Sequence, residues 1–226
     1  MASQTPAPVK KKRLTQTERT ALSDNRMFEA AISLILEKGT VNTTLREIGE
    51  KANYSRGLAS YRFGTKENLY RELLVRIEKS WSKRFHAEVQ GLRGLAAFKK
   101  TLEMFEEILR ADIQAYQAAM IVRFESVGSN SETSSRTRTV MDIQRRQVAN
   151  WIQQAIDDGH IKARIDPHEF STNHISFLYG TMYQLVLFPD RISKEFVVES
   201  YYKSVMQIFG ITETKSVLTK ACGQSS

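Results

Sequence analysis

One cysteine, Cys222, among 226 residues leaves no internal disulfide and no cysteine-based zinc cluster, so an apolar core must hold the chain and a reducing compartment suits it. Proline and glycine are scarce, at 4 and 11 residues, and no segment alternates apolar with polar in the two-residue rhythm of a strand. Long apolar runs are missing too. The longest, Phe177 to Phe188, is interrupted by Gly180, Thr181 and Gln184 and falls short of the roughly 20 residues a membrane span requires. Nothing apolar follows the basic run Lys10, Lys11, Lys12 and Arg13, so an export signal is not expected and a cytoplasmic location is. The four histidines, His86, His160, His168 and His174, have no partner at metal-binding spacing. No nucleophile, base and orienting acid form a set, and no glycine loop could cradle a phosphate; neither catalysis, metal nor cofactor is expected.

What is present is ordinary for a folded, water-soluble protein: 41% apolar and 26% charged residues, with a formal net charge of +8. The charge is unevenly placed. Residues 1–90 hold 17 basic and 10 acidic side chains, whereas the rest of the chain holds 16 and 15. A positive excess confined to one part points to a module that meets a polyanion, because neutralising phosphates and releasing their counterions drives nucleic-acid binding. A membrane surface is the weaker alternative, since no basic amphipathic helix stands out.

Spacing by three and four along most of the chain predicts an all-α protein. A first helix is expected from Glu18 to Lys38, with Phe28, Ala31, Ile32 and Ile35 as its apolar stripe and Gly39 as its stop. Thr44 and Glu47 form a capping box that opens a second helix, whose inward face is Leu45, Ile48, Gly49 and Ala52. Asn53 tolerates a left-handed turn, and Ser55 is expected to cap a short third helix ending near Tyr61. A fourth helix, capped by Thr65, carries Tyr70, Leu73, Leu74, Ile77 and Trp81 on one face to about His86. Further helices are expected over 96–110, 113–126, 136–158, 167–187 and 193–209, with 127–135 as a mobile connection. The organisation read from this is a basic disordered arm over 1–17, a helix-turn-helix unit over 18–81 with its motif at 44–63, a helical bundle over 82–211, and a disordered tail over 212–226.

In a helix-turn-helix the second helix enters the major groove, so its outer face must be polar and dense. Between Tyr54 and Lys66, Leu58, Ala59 and Phe63 are placed to pack inward, while Ser55, Arg56, Ser60, Tyr61 and Arg62 remain outside. Tyr54 reads as a packing residue. The stretch Thr44 to Leu69, with its Ile48-Gly49 pair, the Ser55-x-Gly57 opening, the Tyr61-x-Phe63 closing and Lys66 at the next helix, resembles the DNA-binding signature of the TetR family of bacterial transcriptional regulators. Three positions depart from it: Asn53 where the family mostly has Gly, Ser60 where an aromatic is frequent, and Arg62 where His is frequent. The resemblance implies phosphate contacts from Thr44, Tyr61 and Lys66, and base or backbone contacts from Arg46, Ser55, Arg56, Gly57, Ser60 and Arg62. Arginine reading guanine through two hydrogen bonds is the commonest specific contact, which makes Arg56 the leading base reader and Arg62 the second. Lys10 to Arg13 read either as a minor-groove arm or as a tail adding nonspecific affinity.

The resemblance further implies a double-stranded operator, a homodimer, a place on the nucleoid and a small-molecule effector bound within the bundle. Candidates to line such a cavity are Met104, Phe105, Ile108, Tyr116, Met120, Phe124, Trp151, Phe177 and Tyr183, with Arg123 as partner for a ligand carboxylate and His174 as a polar contact. Each of these has a plain alternative as core or surface. The dimer is expected through the last two helices, by way of Ile175, Leu178, Tyr179, Met182 and Val186 and of Val197, Tyr201, Val205 and Ile208. A repressor released by a largely apolar effector is one outcome; an activator or DNA-organising protein controlled by a protein partner, or by nothing, is the other.

Overall fold

The computed structural model describes residues 15–110 and 113–211, all of it helix, turn and loop. The expectations placed on the arm, on the tail and on Cys222 fall mostly or wholly outside these residues. Among the described residues nine helices run in order: α1 Gln16–Lys38, α2 Leu45–Lys51, α3 Leu58–Phe63, α4 Lys66–Val89, α5 Gly94–Arg110, α6 Gln114–Glu125, α7 Glu132–Asp157, α8 Pro167–Leu187 and α9 Lys194–Ile208.

Local chemistry sets most of these boundaries. Thr15 and Thr44 each accept a hydrogen bond from the backbone three residues on, while Glu18 and Glu47 accept from the cap backbone in return, so α1 and α2 both begin in capping boxes. Thr65 caps α4 through the amide of Asn68. Asp166 caps α8 through two amides, with Pro167 at the first helical position, where a missing N–H costs nothing. Gly39 ends α1 at φ 77°, a conformation that few other residues adopt cheaply.

Two expectations are corrected. Helix α7 begins at Glu132, four residues earlier than its periodicity indicates, because Ser131 caps it through the amide of Ser134; the connection is therefore shorter than 127–135. Ser55 does not cap α3. Gly57 occupies the N-cap without a side-chain bond, and it is the Ser55 carbonyl that accepts from Leu58.

Among the described residues the core forms three apolar clusters. The first joins α1 to α4 and also takes in Ala118, Ala119 and Val122 of α6, so the helix-turn-helix unit completes its core with a helix of the bundle. The second lies among α5, α7, α8 and α9 around Phe98, Trp151, Ile152 and Phe209, and the third around Leu109, Met182 and Leu185. Helix α4 runs unbroken from the first cluster into the others, contributing Leu73 and Leu74 at one end and Trp81 and Phe85 towards the other.

One polar side chain lies deep in the second region. His174 is only 2% exposed, meets the rings of Phe98 and Phe170, and has its Nδ1 2.9 Å from the Tyr201 hydroxyl. Burial pushes its pKa down to about 4 and pushes that of Tyr201 up. The unfolded chain takes up this proton near the ordinary value of 6.5, so His174 should leave stability unaffected above that pH and erode it as pH falls towards 4. The slope should approach about 1.4 kcal/mol per pH unit. Urea unfolding at pH 7, 6 and 5 checks this: the stability gap between wild type and His174→Gln should close with acid, and a gap independent of pH would refute it.

Candidate nucleic-acid interface

The turn between α2 and α3 is built on two backbone constraints. Asn53 sits at φ 60°, the left-handed conformation that its side chain tolerates better than most. Gly49 lets the α3 approach come close: a Cβ there would lie 3.0 Å from the Ser55 carbonyl oxygen. Beneath the turn, Ile48, Ala59 and Phe63 are buried against α1, with Phe28 and Phe63 rings 5.5 Å apart. Tyr54 is half-buried and packs on the same cluster.

Above this floor, the structure places Thr44, Arg46, Ser55, Arg56, Gly57, Ser60 and Tyr61 at the surface, while Arg62 and Lys66 are half-buried. Tyr61 is the most open large side chain of the set, 90% exposed, an unusual position for an aromatic ring that has no outside partner. Thr44 stands at the positive end of α2. Its cap is rigid because Glu47 bonds both the Thr44 amide and hydroxyl and reaches Lys38 at 2.6 Å. The Lys38 bond, with the two from Thr44, holds the Glu47 carboxyl at about 2.

The cations of the interface are held from behind. Oε1 of Glu50 forms an ion pair with Arg56 Nε at 2.6 Å and accepts from Arg46 Nε at 3.2 Å, which brings two of the expected readers onto one carboxylate. Arg56 nevertheless remains 69% exposed. Arg62 is differently placed. Its guanidinium forks onto Asp24 of α1, with Nε at 3.0 and 3.1 Å and Nη2 at 2.9 Å, reaches Glu72 at 3.4 Å, and lies over the Phe63 ring. The Asp24 hydrogen bond raises the already high Arg62 pKa. Lys66 Nζ donates to the carbonyls of Thr40 and Val41 at 2.8 and 3.1 Å, tying α4 to the α1–α2 loop. Asp24 and Glu50 are the partners of these arginines that sequence reasoning missed. Glu50 is foreshadowed by its i+4 spacing from Arg46, but nothing local connects Asp24 to a residue 38 positions away.

Residues 28–73 match the family model of bacterial regulatory proteins, tetR family. The likeness to that family lies within α1 to α4. Among curated protein sequences nothing matches it. Solved structures share its fold at low identity. MbdR regulator from Azoarcus sp. CIB superposes with a TM-score of 0.69 at 17% identity, over 83% of this chain and 96% of that one. NalD of Pseudomonas aeruginosa, the secondary repressor of the MexAB-OprM multidrug efflux pump, gives 0.64 at 16%, over 84% and 97%. AibR, crystallised with isovaleryl coenzyme A and operator DNA, gives 0.67 at 15%, over 84% and 100%. No described helix is long and apolar enough to cross a membrane, and among the described residues no three His, Cys, Asp or Glu side chains group to hold a metal.

The effector candidates do not converge on one place. Phe105, Ile108, Tyr116, Met120 and Phe177 share the third apolar cluster, whereas Met104 and Trp151 lie in the second, as does His174 through its ring contacts. Phe124 and Tyr183 pair with each other, 5.1 Å apart and both nearly half exposed. Arg123 is half-buried and bonds Glu78 of α4 at 3.1 Å. Of the residues expected at a dimer interface, Ile175, Met182 and Val205 face the protomer's own core, while Ile208 is exposed.

The Arg62–Asp24 fork spans the recognition helix and α1, and both side chains are largely shielded. A double-mutant cycle with Arg62→Met and Asp24→Asn should return a coupling energy of about 1–2 kcal/mol in urea unfolding, with Asp24→Asn alone already destabilising. Additive single effects would mean that the fork holds nothing in place.

Proposed function

We propose that this chain is a homodimeric, sequence-specific DNA-binding regulator, a repressor that leaves a pseudo-palindromic operator when a small effector enters its bundle. The observation that carries the DNA-binding reading is the exposed row Thr44, Arg46, Ser55, Arg56, Ser60 and Tyr61 on a rigid helix-turn-helix, with Tyr61 open to solvent. In this reading Arg56 leaves Glu50 to meet a base edge, Thr44 and Tyr61 meet phosphates, and Arg46, Ser55, Gly57 and Ser60 contact bases or backbone beside it. Arg62 orients α3 through Asp24, and Lys66 meets the phosphate backbone while fixing the loop behind Thr44. The organisation proposed is a reading unit over 18–81 and a bundle over 82–211, with the arm and tail flanking them.

Twofold pairing is needed because one short α3 contacts too few bases to select a site. The surface supporting it is the outer face of the last two helices. On α8, Ser176, Gly180, Tyr183 and Leu187 recur at helical spacing and stand open or half open; on α9, Val197, Ser200, Ser204 and Ile208 do the same. A Cβ at Gly180 would meet nothing, leaving space for a neighbouring helix to approach. An effector lodged among Phe105, Ile108, Tyr116, Met120 and Phe177 would act by fitting one packing of the bundle better than another, since equal affinity for both shifts no population.

Selection of full-length protein on random duplexes should enrich a sequence with twofold symmetry. Against that sequence Arg56→Ala should lose about 10- to 100-fold in affinity while its binding to random DNA stays close to wild type. Equal losses on both would remove Arg56 as a base reader. Leu187→Glu with Ile208→Glu should shift sedimentation to the monomer and weaken binding to the symmetric site more than to a half-site; an unchanged dimer would move the interface elsewhere.

A further inference from the structure

Outside the reading face and the bundle core, a groove of about 590 Å³ opens between α1, α4 and the start of α7. That volume lies within the roughly 300–1,000 Å³ usual for small-molecule sites. Arg71, Arg76, Lys79 and Arg136 face only two carboxylates, Glu72 and Glu132. Counting the outer partners as well, Arg62 on Glu72 and Glu78 on Arg136, leaves the excess unchanged at two positive charges.

Apart from Arg136, which bonds Glu78 of α4, the cations are poorly satisfied by the protein itself. Arg71 reaches Glu132 only at 3.3 Å, that carboxylate is 69% exposed, and the Arg71 Nε is buried without a hydrogen-bond partner. An unpartnered buried donor on a guanidinium is costly, so an acceptor is wanted there. Arg76 lies over the Phe28 ring at 5.5 Å, and neither it nor Lys79 has an ion pair among the described residues. Phe28 and Val75 give the groove an apolar side.

We propose that this groove binds a small organic dianion with an apolar body. Its two charges match the local excess, Arg71 and Lys79 hold the anionic group, and the apolar part lies against Phe28 and Val75. Glu132 acts as a replaceable counterion: the ligand takes its place on Arg71. Because Phe28 belongs to the reading unit and Glu132 and Arg136 to the bundle, an occupied groove ties α1 to α7 and fixes how the two parts sit. That regulatory consequence rests on the DNA-binding reading, whereas occupancy does not.

The probe is phenyl phosphate at pH 8, where the ester carries two charges. Calorimetry on the full chain should show one site, at least about tenfold tighter than benzoate, with no heat from benzyl alcohol. Arg71→Gln and Lys79→Gln should each weaken it at least about fivefold, and Glu132→Gln should tighten it by removing the competing carboxylate. Circular dichroism melts establish that each variant is folded, and Lys79, at the surface, serves if Arg71→Gln is not. No binding at millimolar concentration, benzoate binding as well as the ester, or unchanged affinity in Lys79→Gln would overturn the site. The assay contains no DNA, so its failure leaves the reading face standing, and a failure to bind duplexes would leave the groove standing.

Discussion

The packing of α1 against α6 is the contact on which the arrangement depends. Ala30 and Ala31 on one helix and Ala118 and Ala119 on the other are small enough for close approach, and all are buried in a single cluster with Leu34, Ile48 and Leu73. The reading unit therefore has no complete core of its own. Close-packed interiors shift between discrete arrangements instead of deforming smoothly. A change in the bundle that moves α6 must carry α1 with it or open this cluster. Glu78 reinforces the join from α4 by bonding Arg123 of α6 and Arg136 of α7.

The helical architecture was legible because its punctuation is local. A threonine followed by a glutamate three residues on, a glycine after a basic last turn, and an aspartate before a proline each satisfy backbone groups within a few positions, so residues 39, 44–47 and 166–167 could be read without the fold; the equally local box at 15–18 was missed, and α1 begins at Gln16 where the sequence reading starts it at Glu18. The start of α7 was less legible because its serines and threonines resemble a loop in composition. In the helix, Thr137 and Thr139 return their hydroxyls to carbonyls one turn back, so these polar side chains are satisfied without leaving the helix. Exposure along α3 followed from periodicity; the partners that hold its arginines did not, since Asp24 meets Arg62 only through tertiary packing. Aromatic and methionine residues of the bundle were legible as apolar, but core and cavity lining share one composition.

Formal charge also overstates what the N-terminal part offers to a partner. Lys38, Arg46, Lys51, Arg56 and Arg62 all meet carboxylates within the unit, and Lys66 is engaged by backbone oxygens. The pairs are mostly exposed, so each is weak and readily exchanged. Arg62 is the exception, gripped by both oxygens of a shielded Asp24.

The shared Glu50 oxygen has a kinetic meaning for a protein that reads DNA in the proposed way. In that reading, off a matching site Arg46 and Arg56 stay folded back on one shared carboxylate, and a passing duplex meets a pair of cations half of whose charge is already balanced. A base edge that accepts two hydrogen bonds would exchange with that exposed carboxylate more favourably than a lone acceptor, leaving the carboxylate to face the phosphates uncompensated. Such a built-in competitor lowers the grip on random sequence more than on the right one, and a regulator that clings weakly to the rest of the genome slides past it quickly.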